Sequence, residues 1–187
     1  MTLTWHRWAA SIGLAIALAW IGATALAPAP PVQPRAFTEI HWSDLVPKEW
    51  DPTKRFRSLR LDTLDDSDPR TGELLREMRA TWDNAPTVGA LAEKNVRLAG
   101  YVVPLDGASS RLREFLLVPY FGACIHSPPP PANQIVHVTI EAPGRELRVM
   151  DAVQVSGTMH TLRQESVMGV SGYGLSAVRV ESYPAPH

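Results

Sequence analysis

"VRLAGYVVPL", Val96 to Leu105, decides the fold. Val96 and Leu98 alternate with Arg97 and Ala99, the period-2 pattern of a strand with one buried face. Gly100 breaks the alternation and marks a bulge or bend. Four further short apolar or alternating segments follow, namely "REFLLVPY" (113–120), "NQIVHVTIEA" (133–142), "DAVQVSGTMHT" (151–161) and "YGLSAVRVESY" (173–183). Turns rich in Gly and Pro separate these five short strands, which predicts a small barrel or sandwich. Gly100 in the first strand and Gly157 in the fourth suit tight curling. The expectation is a mainly β fold: a five-stranded OB-like barrel over residues 95–187. That fold name does not carry nucleic-acid binding with it.

Upstream, residues 37–94 read as a lead-in arm and one helix. "FTEIHWSDLVPKEWDP" (37–52) has Ile40, Trp42, Leu45 and Trp50 as apolar members, and Pro47 and Pro52 forbid a long helix. It predicts an arm that packs aromatic side chains on the domain. "DSDPRTGELLREMRATWDNAP" (66–86) is the helix, with Asp68 as cap, Pro69 in the first turn and Asn84 and Pro86 as its end. Leu74, Leu75, Met78 and Trp82 are expected on one face.

The N-terminus carries Arg7 and then a charge-free run from Ala9 to Ala27. Residues 1–27 therefore read as a secretory signal or an uncleaved membrane anchor. Residues 28–36 form a proline-rich linker. Export places the domain in an oxidising compartment, expected to be a bacterial periplasm, soluble or tethered by that segment. Lys and Arg number 18 against 19 Asp and Glu. That balance gives no basic stripe, so no nucleic-acid partner is expected.

The one cysteine of the chain lies in "YFGACIHSPPPPANQ", Tyr120 to Gln134. A lone thiol in an exported chain is a free thiol, a metal ligand or an intermolecular partner. Three readings compete. If the stretch is extended, Cys124 and His126 point the same way, and sulfur with nitrogen suits Zn(II) or Cu(I). The third ligand would then be His160, with His137 and His41 as the other candidates. Alternatively, Cys124 is the nucleophile of a thiol-dependent enzyme, with His126 as base and Asn133 as orienting group. In the third reading the apolar neighbours Phe121, Ala123 and Ile125 bury Cys124. Pro128, Pro129, Pro130 and Pro131 then form a rigid face that, with Asn133, docks a partner, while Asn133 and Gln134 satisfy backbone groups where the loop re-enters the sheet. His137 on a strand reads as a tucked histidine. "GVSGYG" (169–174) lacks the lysine and helix of a phosphate loop and reads as a hairpin turn.

"HWSDLVP", "VRLAGYVVPLDG", "EFLLVPYFGACIHSPPPPANQIVHV" and "VQVSGTMH" resemble the signatures of a family of exported bacterial proteins of unknown function. The resemblance runs from about Ile40 to Tyr183 and centres on the FGACIHxPPPPxNQ motif. It implies secreted or lipid-anchored proteins, some associated with envelope ABC transporters and zinc limitation. The chain departs from lipid-anchored members in having no anchor cysteine. The resemblance favours a non-enzymatic accessory protein that handles zinc or copper over catalysis.

Overall fold

Both edges of the strand that begins at Asn95 are paired, and this organises the sheet. The computed structural model describes residues 35–54, 56–57, 69–105, 112–125, 129–141 and 146–184. In chain order the elements are β1 (Thr38–Glu39), a 3-10 helix (Trp42–Leu45), α1 (Pro69–Asp83), a 3-10 helix (Gly89–Leu91), β2 (Asn95–Pro104) and β3 (Glu114–Val118). A 3-10 helix (Ala132–Gln134), β4 (Val136–Ile140), β5 (Ala152–Ser166) and β6 (Gly169–Ser182) follow. β2 runs antiparallel to β5 over Asn95–Tyr101 and antiparallel to β3 over Tyr101–Pro104. β3 pairs antiparallel with β4, β4 parallel with β6, and β6 antiparallel with β5. The pairings thus return to β2 and close a ring within a six-stranded mixed sheet.

The mainly β chain with one helix matches the sequence expectation. The sheet has six strands rather than five because the arm contributes β1, parallel to β2 at Thr38↔Val96 and Glu39↔Arg97. Two residues of extended arm carry no alternation to read, so the strand is set by its partner. The last two strands are also longer than the readable segments. β5 and β6 form a long hairpin turned by Val167 and Met168, with Ser166 opposite Gly169. Residues 169–174, expected as a hairpin turn, lie inside β6.

The alternation divides the side chains into two buried sets. Val96, Leu98, Val102, Phe115, Leu117, Val136, Val138, Val153, Val155, Met159, Tyr173, Leu175 and Ala177 share one cluster. Val103, Leu116 and Val118, on the opposite face of β2 and β3, join Ala123 and Ile135 in a second. "FLLV" in β3 is therefore buried on both sides, which explains its unbroken apolar run. Each such side chain contributes roughly 1.5–3 kcal/mol on full burial.

The arm docks through Trp42, whose indole Nε1 donates to the Ala99 carbonyl at 2.7 Å. Trp50 packs beside Ala85, Ala132 and Val170. On α1, Leu74, Met78 and Trp82 are half-buried, but Leu75 is exposed. At ~3.6 residues per turn Leu75 lies about 100° round from Leu74, and the buried stripe follows the i, i+4, i+8 line instead. Asp68, the expected cap, and residues 1–34, the expected signal or anchor and most of the linker, lie outside the described residues.

Two contacts test this architecture. The β5–β6 register shifts between Ser156 and Gly157, and a Cβ on Gly157 would stand 2.3 Å from the Ser176 carbonyl oxygen. The absent side chain is what lets the two backbones close there. Gly157→Val is expected to destabilise the fold by about 2–3 kcal/mol through overpacking, visible as a lowered melting temperature. Tyr173 is fully buried; its hydroxyl accepts from the Val88 amide at 2.6 Å and donates to the Leu45 carbonyl at 2.7 Å. Burial holds its phenol above the ordinary value. Tyr173→Phe leaves both backbone groups without that partner and is expected to cost about 1–3 kcal/mol. Melting curves matching wild type for both variants would contradict this packing.

Candidate functional site

After β3 the chain turns sharply instead of running on extended. Gly122 and Cys124 both adopt left-handed backbone, at φ 87° and 64°. The Gly122 amide donates to the Met150 Sδ at 3.2 Å, and the Ile125 amide to the Gly122 carbonyl at 3.3 Å. The shared face expected for Cys124 and His126 assumed an extended stretch, and Cys124 is not in one. His126 itself lies outside the described residues, as does Pro128.

Cys124 is half-buried against the cluster of Val103, Leu116, Val118, Ala123 and Ile135. Burial pushes its thiol up to about 11, against a smaller opposing pull from the Arg79 guanidinium. A thiol that keeps its proton at neutral pH is a poor nucleophile. Asn133, the orienting group of the thiol-enzyme reading, is committed elsewhere: its Nδ2 donates to the Pro86 carbonyl at 3.0 Å.

The proline segment lies down on β6. Pro130 is buried, and Pro129 and Pro131 are half-buried. A Cβ at Gly169 would meet the Pro129 Cβ at 2.9 Å, and one at Gly172 the Ala132 carbonyl oxygen at 3.0 Å. Bare backbone on β6 is the seat of the loop, which is why a glycine-rich stretch that resembles a turn is a strand. Three polar contacts fasten it. Asn133 reaches Pro86, the Gln134 Nε2 donates to the Trp42 carbonyl at 2.8 Å, and the Arg79 Nη1 donates to the Pro129 carbonyl at 3.3 Å. Asn133 is completely enclosed, so its side chain faces the interior and not a partner.

What faces outward is the apolar run ahead of the prolines. Phe121 is 67% exposed, Tyr120 46% and Ile125 37%. The Phe121 ring stands edge-on to Tyr101, centroids 5.9 Å apart and planes at 86°. Sequence reasoning assigned Phe121 and Ile125 to burying Cys124; only Ala123 of that trio is buried. The left-handed turn residues rotate the other two outward, a feature that a pattern of residue types does not reveal.

The histidines are dispersed. His160 places Nδ1 2.8 Å from the Glu93 Oε1 and Nε2 2.9 Å from the Ser176 Oγ. Its partners and those of Cys124 have no residue in common. His137 is buried, with Nε2 3.6 Å from the Glu114 Oε2. His41 is exposed at the start of the first 3-10 helix, its backbone amide bound by the Asp44 carboxylate at 2.8 Å. Among the described residues no three His, Cys, Asp or Glu side chains gather as a metal site. Elsewhere, Pro52, Thr53, Phe56, Arg57, Met78 and Trp82 line an apolar cleft of about 280 Å³. Its charged group, Arg57, is already paired with Asp51.

The family described as "Protein of unknown function (DUF3299)" matches residues 42–182. A crystal structure of a DUF3299 family protein from Pseudomonas aeruginosa PAO1 is similar at 33% identity and TM-score 0.60, covering 82% of this chain and 100% of that one. A putative aspartyl-tRNA synthetase from Leishmania major Friedlin aligns at 12% identity and TM-score 0.37, covering 82% of this chain and 22% of that one. No curated protein matches. With the match spanning both the arm and the ring, the chain belongs to the DUF3299 family.

Proposed function

We propose that this is an exported, envelope-side accessory protein that docks a partner protein through Tyr120, Phe121 and Ile125. The partner is a component of an envelope transporter. The carrying observation is the exposure of two aromatic side chains on a loop whose other end is pinned to the sheet. Exposed aromatics concentrate binding energy at protein interfaces. A loop already fixed loses little entropy on docking. We read the ring as an OB-like barrel; its order β2-β3-β4-β6-β5, with β4–β6 as the parallel pair within the ring, supports that reading. Val103, Leu116 and Val118 on its outer face are roofed by the chain's own loop, so binding moves to the roof.

A second reading, zinc or copper capture, starts from the half-exposed Cys124 two residues before His126. His160 would supply the third ligand only by leaving Glu93 and Ser176.

Four measurements test these readings. A C-terminal tag is expected to fractionate outside the cytoplasm, and a cytosolic signal contradicts export. A photo-crosslinker at Phe121 is expected to capture a transporter component in cells. Phe121→Ala is expected to weaken that complex by about 2 kcal/mol, roughly 30-fold in Kd, while the fold loses no more than the edge contact to Tyr101, about 1 kcal/mol. Unchanged affinity removes the aromatic shelf as the docking surface. In calorimetric titration with Zn(II) and anaerobic Cu(I), docking predicts binding weaker than about micromolar, because metal must displace the thiol proton. Tighter binding that Cys124→Ser abolishes favours the metal reading.

A further inference from the structure

His160 lies on the outer face of β5, since its neighbour Met159 is wholly buried in the ring. Across the hairpin Ser176 is exposed between the buried Leu175 and Ala177. Glu93 comes from the turn that precedes β2. The Glu93 Oε1 stands 2.8 Å from the His160 Nδ1, and the Ser176 Oγ 2.9 Å from the His160 Nε2. A carboxylate only accepts hydrogen bonds, so the neutral ring carries its proton on Nδ1. Nε2 is then left to accept from the Ser176 hydroxyl. Carboxylate, imidazole and hydroxyl thus stand in the order and with the ring nitrogens that activate a serine.

A second observation concerns Glu93 alone. It follows Ala92 at the end of the 3-10 helix Gly89–Leu91 and has φ 59°. Glycine is the usual residue at a left-handed position past a helix end. Here the position carries a glutamate, in a conformation that side chains disfavour, and its carboxylate meets the histidine. Strain of this kind is retained where it positions a group.

We propose that Ser176, His160 and Glu93 form a serine-nucleophile site for acyl transfer, hydrolysing small, unhindered carboxylic esters. The Ser176 Oγ adds to the carbonyl carbon as its proton passes to the His160 Nε2. The bond from that carbon to the leaving oxygen breaks, and His160 returns the proton to the leaving alkoxide. Water then adds to the acyl carbon, giving a proton to His160. The bond from the acyl carbon to the Ser176 Oγ breaks, the acid departs, and His160 returns its proton to the Ser176 Oγ. Glu93 is a positioning residue that holds the ring and its tautomer. Thr139 on β4 is in register with Ser176 and exposed, a sheet neighbour whose hydroxyl can donate to the developing oxyanion. The imidazole is 35% exposed on an open sheet face, which suits reactive, unhindered esters that need no enclosing pocket.

The test uses the full chain, a biotinylated fluorophosphonate and p-nitrophenyl acetate. The fluorophosphonate adduct is expected on Ser176 by peptide mass spectrometry, with labelling at least ~100-fold slower in His160→Gln. Turnover is expected to vanish in Ser176→Ala. Glu93→Gln is expected to lower kcat about 10-fold or more at unchanged KM. Glu93→Gly is expected to lose the same rate while melting no lower than wild type, because it relieves the backbone. Turnover unchanged in Ser176→Ala, or Ser176 labelled no faster than in His160→Gln, overturns the proposal. A Glu93→Gly chain that melts lower yet hydrolyses normally overturns the role of Glu93.

Discussion

Where β6 passes beneath the proline loop it offers backbone without a side chain, and a methyl group at Gly172 would come within 3.0 Å of the Ala132 carbonyl oxygen and 3.0 Å of the Thr87 Cγ2. Protein interiors are packed densely enough that a clash of this size must be relieved by movement. On one side the atoms that would have to give are loop backbone at Ala132, and the same loop carries the remaining fastenings. Gln134 ties it to Trp42 of the arm and Asn133 to Pro86 ahead of β2. Tyr173, the next residue on β6 but pointing into the ring, ties Leu45 and Val88 from below. Arm, connection and ring are held as one piece from both faces of a single stretch of strand.

The same constraint shapes the surface. Pinned from Pro129 to Ile135, the loop presents Tyr120, Phe121 and Ile125 from a fixed base. Cys124 sits beneath this shelf, where burial keeps its proton on. Further along β6, Gly174 leaves plain backbone between His137 on β4 and His160 on β5, and Ser176 follows on the same face. One strand therefore seats the pinned loop near its start and carries the serine of the serine, histidine and glutamate array beyond it.

Alternation made the ring readable in advance. Val96, Leu98, Val153 and Val155 announced their strands, and Gly157 announced a close approach. What escaped were features that depend on a distant partner. Gly169 to Gly174 reads as a turn because glycine has two uses, and only the loop lying on it shows which applies. Glu93 and Ser176 are 67 and 16 residues from His160, with no spacing to connect them. Phe121 and Ile125 read as cover for Cys124 because the left-handed turns at Gly122 and Cys124 are invisible in residue type, cysteine being an uncommon occupant of that conformation. Asn133 reads equally well as a docking residue or an internal staple, and its enclosure selects the staple.

The central claim is that the loop is part of the folded sheet rather than a flap over it. Amide hydrogen exchange measures this directly. The Gln134 and Ile135 amides donate to the Pro131 and Ala132 carbonyls at 2.7 and 3.3 Å. In the wild-type chain they are predicted to exchange as slowly as the amides of β4, because opening the loop requires opening the core beneath it. In Gly172→Val they should exchange much faster while β4 stays protected. Fast exchange at Gln134 and Ile135 in wild type, or unchanged protection in Gly172→Val, would contradict the account.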